Sequence, residues 1–323
     1  MQAIYLTAYG DPLQGLKAVE IAEPAAPGPN QVLIQVEYSP LNPSDFLLAR
    51  GIYAQHPELP SVIGNEGVGT ILALGAGVTQ VKVGERVLIP YGTFAWAQRL
   101  LAPADDLFVV PPGVDAQQAA MLRINPPTAV LLLDEFVALK PGDWLVQNAA
   151  NSGVGRAVIA VARSRGLKTI NIVRSQALVE ELKAAGGDVV LVSGADTVQQ
   201  ARAATAGAPV RLGLDAVSGA ATAQLAEIVT QGSTIVSYAA MSGGAIAISP
   251  LDLIFKKIHL RGLFMYHDEC LPKLAKGIAE GSRLMGEGKL RVPVAATYPL
   301  RAVKDAVRHA LGGGKVLFDL RAA

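Results

Sequence analysis

A run of small and polar residues near the middle of the chain constrains the fold more than any other segment. It reads Gln-Asn-Ala-Ala-Asn-Ser-Gly-Val-Gly over residues 147–155, with an apolar strand pattern before it at 144–146 and a small-residue helix pattern after it at 157–165. A chain that passes from a parallel strand into a helix presents backbone N–H groups and the positive helix end to a pyrophosphate, and only residues without bulk allow close approach. The run therefore predicts a dinucleotide-binding turn.

Arg174 indicates which dinucleotide this turn would hold. It lies nineteen residues beyond Gly155, at the end of the next predicted strand, Thr169–Val173, and Ser175 follows it. An enzyme that uses NAD would place an acidic residue near this position to accept from the ribose 2′-hydroxyl, whereas a guanidinium suits a 2′-phosphate. We therefore expect NADPH as the cofactor. The alternative is that Arg174 is only a solvated residue at a strand end.

Composition and charge exclude several other classes of protein. The chain has 323 residues, 51% of them hydrophobic, and a net charge of +1. A large core is therefore expected, and neither nucleic acid nor an anionic membrane is expected as the main partner. The single cysteine, Cys270, excludes an internal disulfide, and no charge-free apolar stretch of about 18 residues predicts a transmembrane helix. Met1 leads into an alternating strand without a signal-peptide pattern, so the expected location is cytoplasmic.

Two different patterns of predicted strands and helices divide the chain into domains. Up to about residue 112, short β-rich segments alternate with proline and glycine clusters, which is typical of a compact, strongly bent β domain. From about 125 to 262, strands and helices alternate and each strand is almost continuously apolar, which indicates a parallel sheet buried on both faces. A last strand, Lys315–Leu320, needs the sheet of the first domain as its host. We predict an α/β protein with residues 1–122 and 263–323 in one domain and 123–262 in the other.

This arrangement resembles the medium-chain dehydrogenase/reductase superfamily over essentially the whole chain. The resemblance implies a doubly wound parallel Rossmann sheet inserted in a GroES-like bent β domain. Zinc members carry Gly-His-Glu in the first domain, where the His is a metal ligand; here the stretch is Gly64-Asn65-Glu66, and the four histidines are scattered without paired spacing. Tetrahedral zinc needs three or four N, S or O ligands. We therefore expect no catalytic metal, and a backbone or basic partner for Glu66.

Within the zinc-free members, the chain looks most similar to the mitochondrial-type 2-enoyl thioester reductases. Four stretches carry this similarity: Asn42-Pro43-Ser44-Asp45; Gly51-Ile52-Tyr53 followed by Pro57-Glu58-Leu59-Pro60; Ile124-Asn125-Pro126-Pro127-Thr128-Ala129; and the run 147–155 with Asn171-Ile172-Val173-Arg174 after it. The resemblance implies NADPH-dependent reduction of the C2=C3 double bond of a trans-2-enoyl thioester, carried by coenzyme A or by acyl carrier protein. Hydride would go to C3 and a proton to C2.

By the family match, the proton donor of this reaction is Tyr53. Hydride transfer to the β-carbon builds negative charge on the thioester oxygen, and a phenol can hydrogen-bond that oxygen or give up its proton. The alternative for Tyr53 is the packing of a loop against the core. Asn42 is expected to hydrogen-bond the cofactor or the substrate, although the turn chemistry of Asn-Pro gives it an equally ordinary role.

The resemblance also implies a set of further cofactor contacts. Besides Asn42 and Arg174, these are Asn125, Thr128, Asn148, Asn151, Ser152, Gly153, Val154, Tyr238, Ala239, Met241, Phe264, Met265 and Lys315. Asn125 has the alternative of capping the helix that follows it. The chain departs from the family where Ser175 and Gln176 replace a second basic residue and where Phe264 replaces a larger aromatic residue. By analogy with the superfamily, we expect a homodimer with the cofactor domains paired edge to edge.

Two alternative functions stay open at this point. A quinone or 2-alkenal reductase of the same superfamily would also be zinc-free and NADPH-dependent, but an acid such as Tyr53 would be dispensable. A nucleotide-binding protein without turnover would bind NADPH and would oxidise none of it when an acceptor is added. Comparing the turnover of an enoyl thioester with that of a soluble quinone discriminates among the three.

Overall fold

The computed structural model describes residues 1–321, which belong to two compact units. The first unit comprises Met1–Ile124 and the chain from Val292 onward, and the second comprises Asn125–Arg291. Within residues 1–321, no helix is both long enough and apolar enough to cross a membrane.

The first unit starts with short strands and three short helices. The strands are β1 (Gln2–Leu6), β2 (Leu16–Glu20), β3 (Gln31–Pro40), β4 (Ser61–Val62), β5 (Val68–Leu74), β6 (Arg86–Leu88), β7 (Arg99–Pro103) and β8 (Phe108–Val109), and the helices are α1 (Pro12–Gly15), α2 (Pro43–Ala49) and α3 (Ala116–Ala119). β2, β1 and β4 form a small antiparallel sheet. Apart from β3 and β5 these strands have five residues or fewer, and proline and glycine clusters separate several of them, as the sequence predicts.

The second unit alternates strands and helices. Its elements are α4 (Asn125–Asp134), β9 (Trp144–Gln147), α5 (Gly153–Ser164), β10 (Lys168–Val173), α6 (Val179–Ala184), β11 (Val189–Val192), α7 (Thr197–Thr205), β12 (Val210–Asp215), α8 (Ala220–Ile228), β13 (Thr234–Ser237), α9 (Pro250–Lys256), β14 (His259–Gly262) and α10 (Leu274–Gly286). Short 3-10 turns precede α6 and α10.

The end of the chain completes the sheet of the first unit. It contains β15 (Val294–Tyr298), α11 (Val303–Gly312) and β16 (Lys315–Asp319). The larger sheet has the order β15-β16-β3-β5-β6-β8, and β7 also pairs with β3. β16 runs antiparallel to β3, with Phe318 opposite Ser39, so the prediction that the last strand joins the β domain is confirmed. β3 is ten residues long and pairs with three neighbours, which makes it the centre of the bent domain.

The sheet of the second unit has the order β11-β10-β9-β12-β13-β14, and all of its pairs are parallel. Adjacent residues of a central strand pack into different clusters: Leu145 packs with Leu212, and Val146 with Ile170. The strands are apolar throughout because both faces of the sheet are covered. The strand order reverses between β9 and β12, and ligands of open α/β sheets bind at such a switch point. The predicted fold, a Rossmann-type sheet with a GroES-like β domain, is confirmed.

Two parts of the second unit differ from what the sequence suggests. A sixth strand, β14, follows the five that the apolar pattern predicts; it is short and all four of its residues are exposed, so it carries no buried-strand signal. The segment 263–291, which the sequence analysis assigned to the β domain, lies in the second unit. Helix α10 packs on α4 so closely that a Cβ on Gly277 would lie 2.4 Å from the Cα of Pro127.

Candidate active site

The phosphate-binding turn is shaped by a helix cap and two glycines. The Ser152 side-chain oxygen accepts from the Gly155 N–H over 3.1 Å and caps α5, a helix of twelve residues. A Cβ on Gly153 would lie 2.7 Å from the side-chain oxygen of Asn125, and one on Gly155 would lie 2.6 Å from the carbonyl oxygen of Ala150. The turn therefore excludes side chains at both positions. Backbone without side chains at these two positions, together with the positive end of α5, fits a pyrophosphate.

Arg156, which is not among the predicted site residues, hydrogen-bonds to the backbone of this turn. Arg156 is buried, and its Nε donates to the Asn151 carbonyl oxygen over 3.1 Å. Its Nη2 is 2.7 Å from the Glu181 carboxylate on α6. Val154 is half-buried and packs on the core between the helices and the sheet. The expected contact residues Asn151 and Val154 thus belong to a rigid turn, and Asn151 contributes its backbone to that rigidity.

Asn148 and Asp215 lie at the ends of β9 and β12, on either side of the switch point. Asn148 Nδ2 donates to Asp215 Oδ1 over 2.7 Å, and the Ala216 N–H donates to Asn148 Oδ1 over 2.8 Å. Asp215 is fully buried and also accepts from the backbone N–H groups of Val217 and Ser218. Asn148 was expected to contact the cofactor. Both ends of its amide are occupied by protein, so its main role in the structure is to join the two strands.

Arg174 follows β10 and is exposed to solvent. Within residues 1–321 it makes no hydrogen bond or ion pair, so its guanidinium is available to a ligand. The neighbouring Ser175 uses its hydroxyl to cap the next turn, accepting from the Ala177 N–H over 3.3 Å. A guanidinium without an internal partner, one strand along from the phosphate-binding turn, is the feature expected of a 2′-phosphate site.

Tyr238, Ala239 and Met241 follow β13 at the carboxyl edge of the same sheet. The buried Tyr238 hydroxyl lies near the Ser152 side chain but makes no hydrogen bond of good geometry with any residue of 1–321. Burial, together with the nearby negative charge of Asp215, raises the pKa of Tyr238, so the hydroxyl stays protonated and can donate. Met241 is 53% exposed. An orphaned donor at the ligand-binding edge fits a polar atom of a bound nucleotide.

Four more of the expected cofactor residues lie in the second unit: Asn125 and Thr128 on α4, and Phe264 and Met265 after β14. Helix α4 begins at Asn125, whose amide lies against the Gly153 position of the phosphate-binding turn. Thr128 Oγ1 donates to Met265 Sδ over 3.3 Å. Phe264 meets the ring of Tyr266 edge to face at 5.8 Å between centroids. The structure therefore brings Thr128 to Met265 and Asn125 to Gly153, pairs that are far apart in sequence.

Tyr53, the expected proton donor, lies in the loop after α2. Its ring is partly buried and packs against the core of the first unit. Burial raises its pKa, and the neighbouring side chains of Tyr91 and Asp45 raise it further. The phenol therefore holds its proton throughout the neutral range, which suits a hydrogen-bond donor to a developing oxyanion. Packing on the core and donation of a hydrogen bond are compatible in this position.

Asn42, Glu66 and Lys315 form a buried polar cluster in the first unit. Lys315 Nζ donates to Asn42 Oδ1 over 2.7 Å, and Asn42 Nδ2 donates to Glu66 Oε1 over 2.8 Å. The Ile124 N–H donates to Glu66 Oε2 over 3.1 Å, so the predicted backbone partner of Glu66 is confirmed. Burial raises the pKa of Glu66 to about 7 and lowers the pKa of Lys315. Asn42 and Lys315, both expected cofactor contacts, are thus bonded to each other.

Asp45 links two of the sequence motifs and was not recognised as a site residue. It is fully buried, and its two carboxylate oxygens accept from the Asn42 N–H over 2.7 Å and from the Asn65 N–H over 2.9 Å. Burial raises its pKa to about 6 despite these hydrogen bonds. The signal that could have found it is its place as the third residue of a helix after Asn-Pro, where a carboxylate closes a capping box.

No metal site is formed by the residues that the structure describes. Groups of three or more His, Cys, Asp or Glu side chains that could hold an ion do not occur among residues 1–321. Asn65, which stands in the place of the zinc-binding His, donates from Nδ2 to Ser44 Oγ over 3.3 Å.

Two segments of the chain match known domain families. Residues 28–111 match the alcohol dehydrogenase GroES-like domain, and residues 153–280 match the zinc-binding dehydrogenase family. The mitochondrial enoyl-[acyl-carrier-protein] reductase of Xenopus tropicalis is 34% identical over 96% of this chain and 93% of its own length. That of Bos taurus is 35% identical over 93% of this chain and 83% of its own length.

Solved structures show the same fold. The quinone oxidoreductase of Escherichia coli, complexed with NADPH, superposes with a TM-score of 0.87 at 25% identity, over 99% of this chain and 100% of that one. A mitochondrial 2-enoyl thioester reductase heterodimer from Candida tropicalis superposes with a TM-score of 0.87 at 23% identity, over 98% of this chain and 99% of that one.

These comparisons correct one expectation and confirm another. The expectation of a cytoplasmic location is wrong, because the curated relatives from Xenopus tropicalis, Bos taurus and Homo sapiens are all named as mitochondrial proteins. That expectation rested on the first residues, which do not decide where a protein resides. The expected family is confirmed by domain matches and by relatives above 30% identity over nearly the whole chain. The chain belongs to the medium-chain dehydrogenase/reductase superfamily, in the family of the mitochondrial enoyl-[acyl-carrier-protein] reductases.

Proposed function

We propose that this protein reduces the C2=C3 double bond of a trans-2-enoyl thioester with NADPH. The chain is an oxidoreductase of its superfamily, and its cofactor is NADPH. The observation that carries the finer proposal is Tyr53, a partly buried phenol in the family's motif whose pKa is raised by burial and by its neighbours. The names of the relatives above 30% identity support the same reaction.

The residues of the second unit fit the nucleotide. The glycine turn before α5 accommodates a pyrophosphate because no side chain fills it at Gly153 or Gly155. Arg174, which has no partner within residues 1–321, would pair with the 2′-phosphate. The orphaned Tyr238 hydroxyl would donate to a polar atom of the nicotinamide half. Together these groups account for the pyrophosphate, the adenosine phosphate and the nicotinamide end.

When bound, NADPH would supply a hydride for C3 of the substrate. Negative charge would then develop on the thioester oxygen, and Tyr53 would stabilise it by donating its phenolic hydrogen bond. Because the Tyr53 pKa is raised, the free enzyme keeps the phenol protonated near neutral pH. If Tyr53 gives this proton to C2, the phenolate that it leaves takes up a proton from water before the next turnover. The Asn42 N–H donates to the Asp45 carboxylate and so caps the first turn of α2, the helix that precedes the Tyr53 loop.

A quinone or 2-alkenal reductase is the second candidate. Its support is the fold and the 25% identity shared with the Escherichia coli quinone oxidoreductase that binds NADPH. That reaction needs the same nucleotide site but does not require the phenol of Tyr53. The two candidates therefore make opposite predictions for the loss of one hydroxyl group.

The experiment follows NADPH oxidation at 340 nm with crotonyl-CoA, a longer enoyl-CoA, an enoyl-acyl carrier protein and a soluble quinone. We expect turnover with the thioesters, and we expect Tyr53→Phe to lower it by roughly 10²–10⁴-fold with the NADPH Kd unchanged. Thr7→Val, which removes a hydroxyl elsewhere in the same unit, is the matched control. Thioester turnover that survives Tyr53→Phe, or a quinone as the only acceptor, contradicts the proposal.

We also propose that the protein is a homodimer joined through the second unit. β14 is the edge strand of the six-stranded sheet, and its residues are all exposed. Beside it, α9 exposes Ile254 at 64% and Phe255 at 70%. An exposed edge strand next to exposed apolar side chains is costly in a monomer, and a second copy related by two-fold symmetry would cover both.

A further inference from the structure

Two amide side chains, Gln147 and Asn171, lie in the middle of the second unit and have no part in the function described so far. Both are 0% exposed, and they face each other directly, because Gln147 on β9 is the register partner of Asn171 on β10. Central strands of a parallel sheet are normally apolar, and a buried amide lowers stability unless it is fully hydrogen-bonded. Their presence there calls for a function.

Gln147 connects the sheet to the phosphate-binding turn. Its Nε2 donates to the Gly155 carbonyl oxygen over 2.9 Å and to Asn171 Oδ1 over 2.8 Å. Both partners are acceptors, so the amide cannot flip without losing both hydrogen bonds. Gly155 belongs to the first turn of α5, and the Gln147 contact therefore fixes how far that helix end stands above the sheet.

Asn171 extends the connection across the sheet. Its Nδ2 donates to Thr169 Oγ1 over 2.9 Å and to the Val189 carbonyl oxygen on β11 over 3.0 Å. Room for this amide exists because residue 187 is a glycine, whose Cβ would lie 2.8 Å from Asn171 Nδ2. Arg174 directly follows β10, three residues and about 10 Å beyond Asn171.

The network is not optimised for stability. Gln147 Oε1 is buried and has no hydrogen-bond partner among residues 1–321. Replacing a hydrogen-bonded buried pair by apolar groups of the same shape is often neutral for folding, whereas leaving one polar atom unpaired is unfavourable. An arrangement that keeps an unpaired oxygen is therefore better explained by what its hydrogen bonds position.

We propose that Gln147 and Asn171 are positioning residues that fix the spacing between the two phosphate subsites of the nucleotide. One subsite is the turn before α5, and the other is Arg174 at the end of β10. NADPH must satisfy both subsites at once, whereas NADH uses only the first. The network therefore contributes to the preference for NADPH over NADH. This inference rests on the cofactor assignment of the proposed function and not on the acceptor.

The test uses the double variant Gln147→Met with Asn171→Leu, which keeps the shapes of both side chains and removes their hydrogen bonds. Dissociation constants for NADPH, NADH and 2′,5′-ADP are measured by fluorescence titration without any acceptor. We expect the Kd for NADPH to rise about tenfold and the Kd for NADH to change less than about threefold, with the melting temperature unchanged or higher. Thr234→Val, another buried polar-to-apolar change in the same sheet, should leave all three constants unchanged.

Equal losses for NADPH and NADH, or a fall in melting temperature that parallels the loss of binding, would show a merely structural role and overturn the inference. The single variant Gln147→Met covers the case in which the double variant does not fold, and the same ratio of constants decides. A wild-type protein that binds NADPH tightly but reduces no enoyl thioester would contradict the proposed function and leave this inference standing.

Discussion

Asn148 and Asp215 are joined by a hydrogen bond of 2.7 Å between the ends of β9 and β12, the neighbouring strands at which the strand order reverses. The Asp215 carboxylate forms no ion pair with any residue of 1–321; it accepts from the Asn148 amide, from two backbone N–H groups and from Thr222 Oγ1 at 2.5 Å. All of these donors are neutral groups, and two of them are backbone N–H groups of the loop that follows β12.

Asn148→Asp should place two carboxylates in contact at this point. Like charges in a buried site disfavour each other, so one carboxyl must take up a proton or the fold is destabilised. We expect the free energy of unfolding to fall by about 2–4 kcal/mol at pH 8 and by less at pH 5. Chemical denaturation at the two pH values measures this. Asp215→Asn, which keeps the acceptor oxygen, should cost less than about 1 kcal/mol; an equal effect of both variants would contradict the model of the contact.

Arg174→Gln should weaken NADPH binding selectively. The guanidinium has no partner in the described part of the chain, so we expect its removal to leave the fold unchanged and to delete only a charge-assisted contact with the 2′-phosphate. A loss of about 10–100-fold in the Kd for NADPH corresponds to such a contact, and the Kd for NADH should stay the same. Fluorescence titration provides both constants. Arg202→Gln, on α7, is the control, and a similar loss for NADH would reject the 2′-phosphate assignment.

Gly155→Ala should disrupt the phosphate-binding turn. The new methyl group would lie 2.6 Å from the Ala150 carbonyl oxygen, and because that atom is backbone the turn itself must shift. We expect NADPH binding to fall by more than about tenfold, together with a lower melting temperature. Gly194→Ala is the matched control, since its methyl group would meet nothing within 4 Å. Normal NADPH binding by Gly155→Ala would show that the phosphates do not approach this backbone.

Glu66→Gln should change how stability depends on pH. The carboxyl has a pKa of about 7 in the folded protein, against an ordinary value of 4.5. Between these values the folded state holds a proton that the unfolded state releases, so the wild-type protein loses stability as the pH rises through this window. Glutamine does not titrate, and the wild type should therefore lose about 1–3 kcal/mol relative to the variant between pH 5 and pH 8. Glu58→Gln, an exposed change, should keep the wild-type slope; parallel slopes for Glu66→Gln would refute the assignment.

Phe255→Glu should separate the proposed dimer. The residue is 70% exposed on α9, beside the edge strand β14, and a charge there would be buried against the second copy. Light scattering after size exclusion should show a dimer for the wild type and a monomer for the variant. Val83→Glu, at a 60% exposed apolar position of the first unit, should remain dimeric. A monomeric wild type would end this proposal.

The sequence predicted those features that have a local physical cause. Apolar strands buried on both faces, the glycine turn and Arg174 were visible because each depends on a few neighbouring residues. β14 was missed because an exposed edge strand has no apolar pattern. The place of segment 263–291 depends on the packing of Gly277 against Pro127, a contact between residues 150 positions apart that no periodicity reports.

The sequence predicts which residues belong to the candidate site, but it does not predict which of them hydrogen-bond to each other. Asn42 and Lys315 were expected to contact the cofactor, and their bond to each other spans 273 positions. Gln147, Asn171 and Asp215 are not among the predicted site residues, although a polar side chain inside an otherwise apolar strand is a signal that sequence alone provides. The sequence does not predict the hydrogen-bond partner of each of these side chains, because the partners come from other strands and loops.

The late position of β16 has a consequence for biosynthesis. This strand lies between β15 and β3, and it begins with the lysine that completes the buried polar cluster. A ribosome therefore makes the entire nucleotide-binding unit before it makes this strand, and a chain that stops before Lys315 lacks both the strand and the lysine. Such a chain can form the second unit but cannot complete the sheet of the first.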